Sequence, residues 1–184
     1  MMLADFVAPF IAVGLAELGD KTQLALVLLA SKTKSRASIL AGAFFGFLLV
    51  DGVAILLGSW VSDVVPEYLI RYGSAALFIF FGALMLLKSP HEESIGSVGG
   101  KPFISSFIIV AATEFGDKTQ LAAGLFATQY PPLTVLVSTM AALTLLSAVA
   151  VALGGAIYSR IDPAKTVKIA GVVFVSIGLS FLIL

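Results

Sequence analysis

The chain has 184 residues, of which 59% are hydrophobic and 12% are charged, and its mean hydropathy is +1.08. A soluble domain of this size does not need so much apolar surface, so the composition indicates an integral membrane protein. The formal net charge is zero, and the longest basic cluster is Lys32, Lys34 and Arg36, which excludes a strongly basic nucleic-acid-binding surface. Cysteine is absent, so neither disulfides nor thiolate metal sites are possible.

Six apolar segments are long enough to cross a bilayer as helices, which takes about 20 residues each. In chain order they cover 5–30, 37–59, 69–87, 103–128, 133–156 and 166–184. The longest polar connection, 88–102, is predicted to be a linker between two three-helix repeats, 1–87 and 103–184. The predicted fold class is therefore an all-α integral membrane protein with six transmembrane helices.

The distribution of basic residues predicts how these helices are oriented. Eight Lys and Arg residues lie in the first, third and fifth connections, and only Arg71 lies on the other side. Because basic residues favour the cytoplasmic side, the linker is predicted to be cytoplasmic and both termini outside. Three helices per repeat is an odd number, so the second repeat enters the membrane in the opposite direction from the first. The prediction is an inverted repeat.

One eight-residue motif occurs twice inside this apolar sequence. Glu17 to Leu24 reads ELGDKTQL, and Glu114 to Leu121 reads EFGDKTQL. Both glutamates fall near the midpoints of predicted spans, where a single Asp or Lys costs about 2.5 to 3.5 kcal/mol. Exposing these residues to lipid is therefore untenable, and the two copies are predicted to face each other as halves of one intramembrane site.

The local geometry of the motif has two possible forms. In a continuous helix Glu17, Asp20 and Gln23 would spread over about 120° of one face. Gly19 would then allow a partner helix to approach closely. Alternatively, Gly19 permits a local unwinding that exposes backbone carbonyls, and the sequence does not choose between the two.

The side chains of the paired motifs indicate which ion they would bind. Carboxylate, amide and hydroxyl oxygens suit Mn²⁺, Ca²⁺ or Mg²⁺, whereas zinc and copper sites favour imidazole or thiolate. The single histidine, His91, lies in the linker. Four carboxylates less Lys21 and Lys118 leave a charge of −2, which one divalent cation would neutralise. Protons would neutralise it in the absence of the metal, which is a physical basis for exchange.

The paired Glu-x-Gly-Asp-Lys-Thr motifs in two three-helix halves resemble those of the small cation/proton exchangers. That family includes the Golgi calcium and manganese transporters of eukaryotes and a bacterial manganese exporter. The resemblance covers the whole chain, and the compact length resembles bacterial members, which implies the bacterial inner membrane. It implies that the metal ligands are Glu17, Asp20, Glu114 and Asp117. The supporting residues of the two motifs would be Lys21, Thr22, Gln23, Lys118, Thr119 and Gln120.

Asp51 is a further acid within a predicted span. Its approximate counterpart in the second half is Ser147, and the resembling family more usually has a hydroxyl residue at this place. Asp51 is therefore interpreted as a further ligand, a proton carrier or a partner for Lys118.

The sequence and the resemblance together predict a transporter that exports Mn²⁺ in exchange for protons. Its partners would be the ion, protons and the bilayer, with no nucleic acid and no resident cofactor. The nearest alternative is a Ca²⁺/H⁺ exchanger, which uses the same oxygen ligands. An exporter of cationic amino acids would need a larger pocket. An enzyme is disfavoured, because no His-Glu-x-x-His motif, Ser/Lys pair or other nucleophile constellation is visible.

Several residues also have a purely structural interpretation. The motif acids and lysines could form an ion-pair network without transport. Gln23 and Gln120 are as well suited to interhelical hydrogen bonds as to an ion. Gly42 and Gly46 predict close helix packing.

Overall fold

A computed structural model describes residues 2–87, 100–153 and 162–183, and all regular secondary structure in these ranges is α-helical. The helices are α1 Met2–Glu17, α2 Lys21–Lys32, α3 Arg36–Val64, α4 Glu67–Leu87, α5 Pro102–Glu114, α6 Lys118–Ala127, α7 Pro132–Leu153 and α8 Pro163–Ile183. By length and composition, α3, α4, α7 and α8 can each cross a membrane. The chain is therefore a multi-pass membrane protein. Most of the predicted linker, 88–99 with His91, lies outside the described residues.

The predicted spans 5–30 and 103–128 each consist of two helices. The breaks fall at the same place in the two motifs, between Glu17 and Lys21 and between Glu114 and Lys118. Of the two forms that the sequence left open, local unwinding is therefore the one adopted, and Glu17, Asp20 and Gln23 do not share one continuous helix.

Glycine and aspartate explain why both helices break there. Gly19 and Gly116 each have φ of +79°, a conformation that residues with a Cβ enter only with strain. The next residues, Asp20 and Asp117, are the N-caps of α2 and α6, with ψ of 167° and 169°. The Asp20 carboxylate accepts a hydrogen bond of 2.9 Å from the Lys21 amide. The motif thus encodes a helix end, a turn and a helix start.

The two halves of the chain pack on each other through equivalent surfaces. Helix α3 packs against α5 and α6, and its counterpart α7 packs against α1 and α2. Where α4 meets α8, a Cβ at Gly82 would lie 2.8 Å from the Gly171 carbonyl oxygen, and one at Gly178 would lie 2.8 Å from that of Ala75. Adding 96 to 75 and 82 gives 171 and 178, so the two contacts are reciprocal. Such reciprocity is typical of related halves that face each other across an axis.

Small residues also bring α3 and α5 into backbone contact. A Cβ at Gly42 would lie 2.2 Å from the Phe103 carbonyl oxygen, and Gly46 faces the same helix. This confirms the close packing predicted for the glycine pair. At the equivalent place between α7 and α1, the Ser138 hydroxyl donates a 2.5 Å hydrogen bond to the Phe6 carbonyl.

Apolar side chains fill the bundle and also cover its outside. The ring of Phe78 lies 4.9 Å from that of Phe126 and 5.4 Å from that of Phe174, which ties α4, α6 and α8 together. On the outer surface Leu56 and Trp60 are 70% and 61% exposed. An apolar exterior of this kind suits contact with lipid.

Candidate cation site

The two broken helices meet inside the bundle. Glu17 ends α1 and Glu114 ends α5, and both side chains are fully buried. Helix α2 packs against α5, and α6 packs against α1, so each break faces the other half of the chain. The structure thereby brings the two copies of the motif together.

Three acids of the motifs converge on one point. Glu17, Glu114 and Asp117 each offer a carboxylate oxygen, and these oxygens lie within 4.8 Å of one another. The first belongs to one half of the chain, and the other two belong to the second half. Divalent ions bind oxygens at about 2.0 to 2.6 Å, so one ion could contact all three carboxylates.

Glu114 is held in place from both halves. Its Oε1 accepts a hydrogen bond of 2.5 Å from the Thr22 hydroxyl, and its Oε2 accepts one of 2.8 Å from the Thr119 hydroxyl. The Thr22 hydroxyl also lies 2.8 Å from that of Thr113, which donates to the Ile109 carbonyl. Each carboxylate oxygen keeps a lone pair for a further partner.

Glu17, unlike Glu114, receives no hydrogen bonds from the residues described around it. Within the described ranges, neither of its carboxylate oxygens has a hydrogen-bond partner. Burying a carboxylate is unfavourable unless it is paired, coordinated to an ion or protonated. Of the three converging acids, Glu17 therefore has the strongest need for a cation or a proton.

Asp20 lies on the far side of Lys118. The Lys118 ammonium donates hydrogen bonds to Asp20 and, at 3.1 Å, to Asp117. The side chains of Asp20, Asp117 and Lys118 are 24%, 23% and 18% exposed. Of the four predicted ligands, the structure thus groups Glu17, Glu114 and Asp117, and it connects Asp20 to them through a lysine.

The predicted supporting residues differ in position. Gln120 accepts a hydrogen bond of 2.7 Å from the Gly116 amide and donates one of 3.2 Å to the Val50 carbonyl. Its amide therefore joins the helix break to α3, which matches the interhelical role that the sequence left open. Gln23 and Thr22 are buried in α2.

Asp51 follows Val50 in α3 and is fully buried. In the part of the chain that the structure describes, neither of its oxygens has a hydrogen-bond partner. Asp51 is not part of the ion pairs of Lys118, which are with Asp20 and Asp117, so the interpretation as its partner is not supported.

Thr113 is a site residue that the sequence did not reveal. It precedes the second motif by one residue, and its counterpart before the first motif is Ala16, so the duplication gave no signal. Its hydroxyl contacts Thr22, which in turn bonds Glu114.

Interrupted helices whose broken ends carry buried acids, brought together from the two halves of the chain, are typical of secondary transporters. The chain belongs to the family described as Divalent cation/proton antiporter GDT1, which residues 5–93 and 102–184 match. This is a family of transporters, and its cargo class is divalent cations and protons.

Several known proteins are similar in sequence to part or most of this chain. A protein of Vibrio cholerae serotype O1 named "Putative manganese exporter" is 38% identical over 120 residues, which is 64% of this chain and 59% of that protein. GDT1-like protein sll0615 of Synechocystis is 26% identical over 94% of both chains. Protein PAM71, chloroplastic, of Arabidopsis thaliana is 25% identical over 93% of this chain and 54% of its own length. No solved structure matches the chain.

Proposed function

We propose that this protein exports Mn²⁺ from the cytoplasm in exchange for protons, by alternating access around Glu17 and Glu114. The observation that carries the proposal is the convergence of Glu17, Glu114 and Asp117 from two halves within 4.8 Å, with Glu17 buried and lacking a partner among the described residues. The metal is the cargo, and the chain's own oxygens are its ligands.

The ligand chemistry favours Mn²⁺ over the alternatives. Ca²⁺ takes six to eight oxygens, often through bidentate carboxylates. Thr22 and Thr119 each take one lone pair of a Glu114 oxygen, so this carboxylate has fewer lone pairs left for an ion, which favours an ion that needs fewer contacts. The name of the Vibrio relative, "Putative manganese exporter", supports the same choice. A Ca²⁺/H⁺ exchanger remains the alternative, because its ligands would be the same oxygen types.

The proposed topology has six crossings. Helices α1 with α2, and α5 with α6, would each cross as an interrupted span beside the four long helices. The reciprocal packing of α4 on α8 supports an inverted repeat of 1–87 and 103–184. The basic residues favour a cytoplasmic linker 88–102 and external termini in a bacterial inner membrane.

Export against the membrane potential requires coupling. Moving a divalent ion out of a cell with a negative interior costs about 4.6 kcal/mol per 100 mV. The sequence has no nucleotide-binding motif through which ATP could supply this energy. Protons that bind the acids from outside and leave inside would supply the energy. The candidates are Glu17, Asp20, Glu114 and Asp117, with Asp51 as a further carrier or ligand.

Transport in liposomes that contain a pH dye tests the function. We expect external Mn²⁺ to make the lumen alkaline, because each entering ion drives protons out. Ca²⁺, Mg²⁺ and lysine are added in separate runs, and protein-free liposomes are the control. A larger response to Ca²⁺ would identify a calcium exchanger, and a response to lysine alone would identify an amino-acid exporter. No response to any of them, or a Mn²⁺ response that survives Asp117→Asn, would contradict the proposed site.

A further inference from the structure

We propose that Lys118 is a tethered competitor of the transported ion. In the metal-free protein its single positive charge would partly compensate the charges of Asp20 and Asp117, and a divalent cation would displace it in order to bind. The inference rests on the proposed function. It gives a role to the Lys118 ammonium, which the group of three acids alone does not explain.

The contacts of Lys118 place it between the two halves. Its ammonium bonds Asp20, the N-cap of α2, and Asp117, the N-cap of α6. Asp117 is also one of the three acids that converge on the candidate ion position. The lysine therefore shares an anionic ligand with the proposed cargo.

Local helix electrostatics do not account for this placement. Lys118 is the first residue of α6, where the positive end of the helix dipole disfavours a cation. The ammonium is instead held by the carboxylates of Asp20 and Asp117, to which it donates hydrogen bonds. Its position thus reflects the same anionic field that would attract a divalent ion.

Competition follows from the charges. A divalent ion bound at Glu17, Glu114 and Asp117 would be repelled by an ammonium that lies 3.1 Å from an Asp117 oxygen. Lys118 would have to leave Asp117 as the ion enters and return as the ion leaves. It would thereby weaken binding and speed release, which suits a carrier that must unload its ion.

Equilibrium binding of Mn²⁺ to the purified full-length protein in nanodiscs, measured by calorimetry, tests this role. For Lys118→Gln we expect binding about tenfold tighter or more, because the repulsion is gone. In the liposome assay the same variant should show a lower KM and a lower maximal rate. Lys118→Arg should bind like the wild type. Lys32→Gln, which removes an exposed charge at the end of α2, should also bind like the wild type.

A loss of Mn²⁺ affinity in Lys118→Gln, in place of the expected gain, would identify a purely structural role for Lys118. If Lys118 only fastens α2 to α6, its removal disorders the site, and Mn²⁺ binding becomes weaker or stays unchanged, which would overturn the inference. Lys118→Met keeps the length of the side chain and gives a second test if the Gln variant does not fold. Glu17→Gln separates the two proposals. Unchanged Mn²⁺ binding in that variant would refute the proposed site itself, whereas lost binding there with no gain in Lys118→Gln would refute only the competitor role.

Discussion

Replacing Glu114 by Gln is expected to abolish Mn²⁺-driven proton movement in liposomes. The change keeps the shape of a fully buried side chain but removes the charge that Thr22 and Thr119 hold in place. Groups that merely support a metal ligand are worth about 10- to 100-fold in affinity or activity, so losing a ligand should cost at least about 100-fold. The measurement is the initial rate of the dye signal at saturating Mn²⁺.

Glu17→Gln should be as damaging as Glu114→Gln, although Glu17 lacks the two threonine hydrogen bonds. Equal losses would follow if both carboxylates bind the same ion. The matched control is Glu67→Gln, the same chemical change at an exposed position in the first turn of α4, which should leave the rate unchanged. If Glu17→Gln transports normally while Glu114→Gln does not transport, only the second half of the chain binds the ion.

Replacing Gly58 by Ala is expected to destabilise the whole bundle. A Cβ at Gly58 would lie 2.1 Å from the carbonyl oxygen of Gly124, so α3 and α6 would have to separate. Forcing extra atoms into a packed interface typically costs about 1 to 3 kcal/mol, and this clash is with backbone, which cannot rotate away. The thermal unfolding temperature of the purified protein in detergent should fall, and Mn²⁺ transport should fall with it, because α6 carries Lys118 and Thr119.

Gly73→Ala is the control for that experiment. Gly73 is an exposed position in α4, and a Cβ there would meet nothing within 4 Å. Alanine is favoured over glycine in a helix by about 0.8 to 1 kcal/mol, so this variant should unfold at the same or a higher temperature. Equal effects of the two substitutions would mean that the contact between Gly58 and Gly124 does not hold the bundle together.

Most of the helix positions could be predicted from apolar segments. Helices α4 and α7 begin within a few residues of the predicted 69–87 and 133–156, because length and apolarity determine where a chain can span a bilayer. The breaks at Gly19 and Gly116 could not be decided in the same way. Whether glycine ends a helix or lets a partner approach depends on what the neighbouring half offers, and a local pattern does not contain that information.

The meeting of the two motifs was also predictable, but the inequality of their environments was not. Identical residues at Thr22 and Thr119 both bond Glu114, whereas Glu17 has no such partner within the described residues. Two copies of one octapeptide cannot specify different roles by themselves. The difference arises from neighbours outside the motif, such as Thr113, whose counterpart in the first half is Ala16, and from how the two halves pack against each other.

The most direct test of a shared site is the anomalous scattering of Mn²⁺ in crystals of the full-length protein. One peak between the carboxylates of Glu17 and Glu114, also bonded to Asp117, is the expected result. Separate peaks beside each motif, or a single peak bonded to only one half of the chain, would contradict the account.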